Sequence, residues 1–196
     1  MKLNSNYWEG RYKNKETGWD VGKITTPLKT YIDQLEDKTI RILIPGAGNG
    51  YEFEYLIQNG FENVFVVDLA VTPLNNIMKR IPNLDENQLI HSDFFKLEGK
   101  YDLIIEQTFF CALEPKLREK YVHKMHSLLN TKGKLVGLLF QFPFTENGPP
   151  FGGSIEEYKN LFEQDFNIKY LATAYNSIKP RIDSELFFIF EKKQLQ

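Results

Sequence analysis

Three glycines, Gly46, Gly48 and Gly50, follow the apolar run of "RILIPGAGNGYEFEYLIQNG", and an acid, Asp68, falls near the end of the next apolar run, "NVFVVDLA". Glycine costs conformational entropy, so such density marks a backbone that turns tightly or admits a close neighbour. Strand, glycine turn, helix, strand, acid is an arrangement that holds nucleotide-like cofactors. The glycines let the backbone approach the ligand, and the carboxylate bonds ribose hydroxyls. A dinucleotide cradle needs G-x-G-x-x-G, but Tyr51 stands where its third glycine would fall. The observed G-x-G-x-G disfavours a pyrophosphate and, with it, a nicotinamide oxidoreductase.

This spacing resembles motif I of the S-adenosylmethionine-dependent methyltransferases, whose cofactor carries an amino acid in place of phosphates. In "HSDFF" (91–95), Asp93 would accept a bond from adenine's amino group and Phe94 would pack on the ring, the plain alternative being an acidic turn beside a core phenylalanine. Gly46, Gly48, Asp68 and Asp93 then converge, because the C-terminal ends of the first three strands of such a sheet line one crevice. His123 and His126 have a metal-compatible spacing without an acidic or cysteine partner in sequence, so they are expected on the surface and no metal is expected. His91 is expected to end a strand. Cys111 is the sole cysteine, which excludes an internal disulfide; nothing basic adjoins it, so it reads as an inert buried thiol.

The elements that must position these residues alternate. Strands are predicted at 39–45, 63–70, 88–93, 101–107 and 134–142, with helices at 51–60, 73–81, 115–129 and 154–164 and a stop at 130–133. Ser154 is the predicted N-cap of the last helix, with Glu157 three residues on. Two extended runs, 166–173 and 185–192, close the chain with no helix between them. The pattern predicts a Rossmann-like α/β fold, a mostly parallel sheet with an antiparallel terminal strand. The loop 142–154, "FPFTENGPPFGGS", sits where a lid would be.

At 196 residues with 42% hydrophobic residues, the chain fits one domain, 1–196. Its 24 basic and 26 acidic residues are interspersed, leaving no electrostatic footprint for nucleic acid or membrane. There is no signal-peptide core and no apolar run near the ~18 residues of a membrane span. A cytoplasmic monomer with a small-molecule partner is expected.

Several segments, "YWEGRYKNKETGWDVG" (7–22), "IPGAGNGYEF" (44–53), "VVDLA" (66–70), "SDFF" (92–95), "YDLIIEQTFFCALEPKLREKY" (101–121) and "NGPPFGGS" (147–154), together resemble the thiopurine methyltransferase family, and more closely its thiol, thiocyanate and halide branch. The resemblance implies a seven-stranded methyltransferase fold in which an N-terminal helical cover (1–38) precedes the core (39–196). It implies S-adenosylmethionine as cofactor, S-adenosylhomocysteine as product, and a small sulfur or halide nucleophile as acceptor. By the same resemblance Trp8 and Trp19 fold over the cofactor, and Trp19 also shapes the acceptor pocket. Glu106 and Gln107 fall beside the methyl group, Phe110 packs nearby, and "GPPF", with Pro149 and Phe151, lies at the pocket mouth. Gln107 departs from the Asp-Arg pair of the thiopurine enzymes. Indole faces attract a sulfonium by about 0.5–2 kcal/mol. In-line displacement needs orientation rather than an obligatory base. An O- or N-methyltransferase and a non-catalytic cofactor binder are the alternatives.

Overall fold

The computed structural model describes residues 2–145 and 148–194. Glu146 and Asn147, part of the predicted loop 142–154, lie outside the described residues. The sheet has seven strands, and the chain gathers into two compact units, Met1–Leu97 and Glu98–Gln196.

The first unit opens with α1 (Ser5–Lys13) and α2 (Thr26–Ile32), the predicted N-terminal helices. No residue of α1 is fully buried, whereas α2 buries Pro27, Leu28 and Ile32. β1 (Ile42–Pro45) is buried at every position, as a parallel strand covered on both faces requires. It pairs in parallel with β2 (Val64–Asp68), which pairs in parallel with β3 (Leu89–His91). Between them run α3 (Tyr51–Gln58) and α4 (Val71–Arg80). Gly60, at φ 83°, lies just beyond the end of α3, as its place in the sequence predicts.

In the second unit β4 (Tyr101–Gln107) leads through two short 3-10 turns to α5 (Arg118–Leu128), and β5 (Leu129–Phe140) runs parallel to β4. The predicted helix 115–129 is therefore shorter: Pro115 opens a 3-10 turn, and the strand already begins at Leu129. The predicted stop at 130–133 survives as an irregularity inside β5, where the register jumps from Tyr101↔Leu129 to Leu103↔Lys134 and Lys132 takes φ 62°. α6 (Ile155–Phe162) is capped by Ser154, whose hydroxyl accepts the Glu157 N–H at 3.2 Å. β6 (Phe166–Thr173) and β7 (Glu185–Lys192) match their predicted spans, and β7 runs antiparallel to both β5 and β6. Phe162, Phe166, Phe188 and Phe190 form its aromatic core. Among the described residues no helix is long and apolar enough to cross a membrane.

Candidate active site

The loop after β1 is built by left-handed backbone. Gly46, Gly48 and Gly50 take φ of 59°, 53° and 65°, where an L side chain is strained. Space adds to this at Gly50, where a Cβ would lie 2.5 Å from Ile77 Cδ1, and at Gly48, where it would meet the Tyr12 hydroxyl at 3.1 Å. Asp68, at the end of β2, is 9% exposed. One of its oxygens accepts the Gly48 N–H at 3.1 Å and the other the Ala70 N–H at 2.9 Å. Burial pushes its carboxyl up to about 6, opposed by those N–H groups and by His91. Ser92, after β3, donates its N–H to the Asp68 carbonyl at 3.1 Å, so the ends of the three strands do converge.

Asp93 and Phe94 serve the local chain. Asp93 accepts the Phe95 N–H at 2.9 Å, and Phe94 is 4% exposed, a core position with little ring left for a ligand in this conformation. His91 ends β3 as expected, with Nε2 3.1 Å from the Leu69 carbonyl.

Trp8 and Trp19 are half-buried and meet edge to face at 5.6 Å between ring centres. Tyr12 joins them, 5.8 Å from Trp19, and its hydroxyl reaches the glycine loop. Sequence reasoning missed Tyr12, although it lies one helical turn from Trp8 on the same face of α1. Polar ties hold this cover. Ser5 donates to the Leu69 carbonyl at 2.8 Å, and Glu9 accepts the Val71 and Thr72 N–H groups at 3.0 and 3.1 Å, at the start of α4. Asp20 accepts from the Asn49 amide, inside the glycine loop. Asn49 in turn is fixed by Asn76 at 2.9 Å and by Arg80, which donates to its carbonyl at 2.6 Å.

In the second unit Glu106 is wholly buried. One oxygen accepts the Phe109 and Phe110 N–H groups at 2.7 and 2.9 Å, and the other the Tyr121 hydroxyl at 2.6 Å. Burial raises its carboxyl to about 7 against those three bonds. The carboxylate thus holds a turn in which Thr108 takes φ 57° and which carries half-buried Gln107 and buried Phe110. Cys111 is buried, its thiol pushed up by burial and by Glu106, which fits the inert role expected.

Phe151 is 6% exposed and Pro149 half-buried. The described part of the predicted lid is pinned: Phe151 donates its N–H to the Cys111 carbonyl at 2.8 Å, and Gly153 to the Phe142 carbonyl at 3.0 Å. The surface expectation holds for His123, which is exposed and 3.2 Å from Asp165. It changes for His126, which is 8% exposed, 2.9 Å from the Lys193 carbonyl and edge-on to Phe166. Among the described residues there is no cluster of three or more metal-ligating side chains.

The left-handed glycine loop, the buried acid beside it and the aromatic trio fit S-adenosylmethionine: N–H groups and a carboxylate for its ribose, indole faces for its cation. A family model described as thiopurine S-methyltransferase matches residues 3–194. A probable thiol methyltransferase 2 of Arabidopsis thaliana is 31% identical over 159 residues, covering 79% of this chain and 70% of its own. A thiocyanate methyltransferase 1 of the same plant is 26% identical over 161 residues, with the same coverage. A Burkholderia thailandensis 1,6-didemethyltoxoflavin-N1-methyltransferase, solved with S-adenosylhomocysteine, superposes with a TM-score of 0.75 at 16% identity, over 97% of this chain and 87% of its own. Fold and family are those of an S-adenosylmethionine-dependent methyltransferase. Within that class the chain belongs to the thiopurine S-methyltransferase family.

Proposed function

We propose that the methyl acceptor is a small sulfur or halide nucleophile, such as a thiol, bisulfide, thiocyanate or iodide. The observation that carries this is the state of Glu106. It is the acid at the end of β4, yet both of its oxygens accept from the chain's own Phe109, Phe110 and Tyr121. Beside it stand a neutral amide, Gln107, and aromatic rings. Oxygen and nitrogen acceptors generally require a base, whereas a thiolate or halide arrives ready to attack. The names of the thiol and thiocyanate relatives point the same way.

Gly46, Gly48, Gly50 and Asp68 would hold the cofactor, with Trp8, Tyr12 and Trp19 covering it. When bound, S-adenosylmethionine supplies an activated methyl group on a positively charged sulfur. The chain's own part is to orient the acceptor and exclude water, for which orientation alone supplies up to ~7–11 kcal/mol. Gln107, Phe110, Pro149 and Phe151 of the second unit are assigned to the acceptor. The test is S-adenosylhomocysteine formation with bisulfide, thiocyanate, iodide, an aromatic thiol, a thiopurine, a phenol and an amine offered separately. Acceptor-dependent product with the small anions is the expected result. Turnover confined to an oxygen or nitrogen acceptor would overturn the assignment.

A further inference from the structure

One helix face of the second unit touches both segments assigned to the acceptor. Arg118 and Tyr121 lie three apart on α5, so their side chains share a face. Tyr121 donates to Glu106 at 2.6 Å, and Glu106 holds the Phe109 and Phe110 N–H groups. Arg118, 5% exposed, donates through Nη2 to the Gly152 carbonyl at 2.7 Å and through Nη1 to Glu157 of α6. The Phe110 ring lies between the two, 5.0 Å from the Tyr121 ring and 4.8 Å from the Arg118 guanidinium. The Phe151 N–H to the Cys111 carbonyl joins the two segments directly.

We propose that the Arg118–Tyr121 face of α5 is the positioning element for the acceptor: it fixes the 107–110 turn and the 151–153 segment against each other and so limits the reaction to small nucleophiles. This rests on the acceptor reading above. Neither residue needs to touch substrate. A guanidinium that bridges two acceptors and a buried hydroxyl–carboxyl bond set position closely, and a misplacement of about 1 Å at an acceptor can cost on the order of 100-fold in rate.

Tyr121→Phe keeps the ring on Phe110 and removes one bond, while Arg118→Gln removes the Gly152 and Glu157 contacts. Glu106→Gln is the rescue control, because an amide oxygen can take both N–H bonds and its NH2 can donate to the Tyr121 oxygen. In amide hydrogen exchange, Tyr121→Phe should speed exchange at Phe109 and Phe110, Arg118→Gln at Phe151 and Gly153, and Glu106→Gln at neither. The glycine-loop amides should stay as in the unaltered protein. In turnover, the first two variants should lose on the order of 10- to 100-fold in kcat/KM for bisulfide, lose less for a bulky aromatic thiol, and keep their affinity for S-adenosylhomocysteine. Unchanged exchange, or losses equal for small and bulky acceptors and matched by weaker cofactor binding, would overturn the proposal. Variants that show the exchange pattern, with an unaltered protein that methylates none of these acceptors, would remove the acceptor reading and the selectivity claim built on it.

Discussion

Asp68 and Glu106 are both buried acids at the C-terminal ends of parallel strands, and burial raises both carboxyls. Their partners differ. Asp68 accepts backbone N–H groups of the glycine loop and the start of α4, and it keeps 9% of its surface. Glu106 has none of its surface left and adds a side-chain hydroxyl from α5. An acid held by loop backbone at a strand end can exchange part of its bonding for a ligand. An acid closed in by a helix is part of the scaffold. The surroundings differ in the same way: α1 buries no residue and is tied down by Ser5 and Glu9, whereas Arg118 and Tyr121 are buried.

The sharpest way to break this contrast is Asp68→Ala against Glu106→Gln. The first should weaken S-adenosylhomocysteine binding by about 1–3 kcal/mol, the range for a lost hydrogen bond to a charged group, and the second should leave it unchanged in calorimetry. Equal losses would erase the distinction.

Next comes pH. Both folded carboxyls titrate above the unfolded range near 4, at about 6 and about 7. Between those limits the folded chain keeps protons that the unfolded chain has released, so stability falls as pH rises through that window, by at most about 1.4 kcal/mol per pH unit per group. Thermal melts from pH 5 to 8 should show a shallower decline in Glu106→Gln than in the unaltered protein, and parallel curves would contradict the raised carboxyl. Cofactor binding should follow Asp68 alone, weakening up to about tenfold per pH unit below about 6, as the carboxyl that accepts ribose hydroxyls takes up its proton.

The smallest effect belongs to the cover. Glu9→Ala removes the acceptor at the start of α4 and should cost about 0.5–1.5 kcal/mol in a urea melt, with faster release of S-adenosylhomocysteine in stopped flow. A release rate that does not change would detach α1 from cofactor retention.

The contrast also explains what was legible in the sequence. The spans of β4 and β7 stood out as compact apolar runs, and that of β6 because Phe166, Ile168 and Tyr170 alternate with Asn167 and Lys169. Gly46, Gly48, Gly50 and Asp68 were legible because left-handed turns require a residue type that sequence displays, and the acid follows at the next strand end. The second unit's clamp was hidden: Tyr121 lies 15 positions from Glu106, and Arg118 lies 34 from Gly152. No local pattern announces such partners. His126 was misread for the same reason, since its burial depends on Phe166 and Lys193, contributed from beyond its own helix.

Small soft nucleophiles as acceptors are the central claim, and a single-vessel competition addresses it most directly. Equal concentrations of bisulfide, thiocyanate, iodide, an aromatic thiol, a phenol and an amine are supplied with S-adenosylmethionine, and the methylated products are quantified together by mass spectrometry. The account predicts product from the small sulfur and halide acceptors, with none from the phenol or the amine. Methylated phenol or amine as the main product would contradict it.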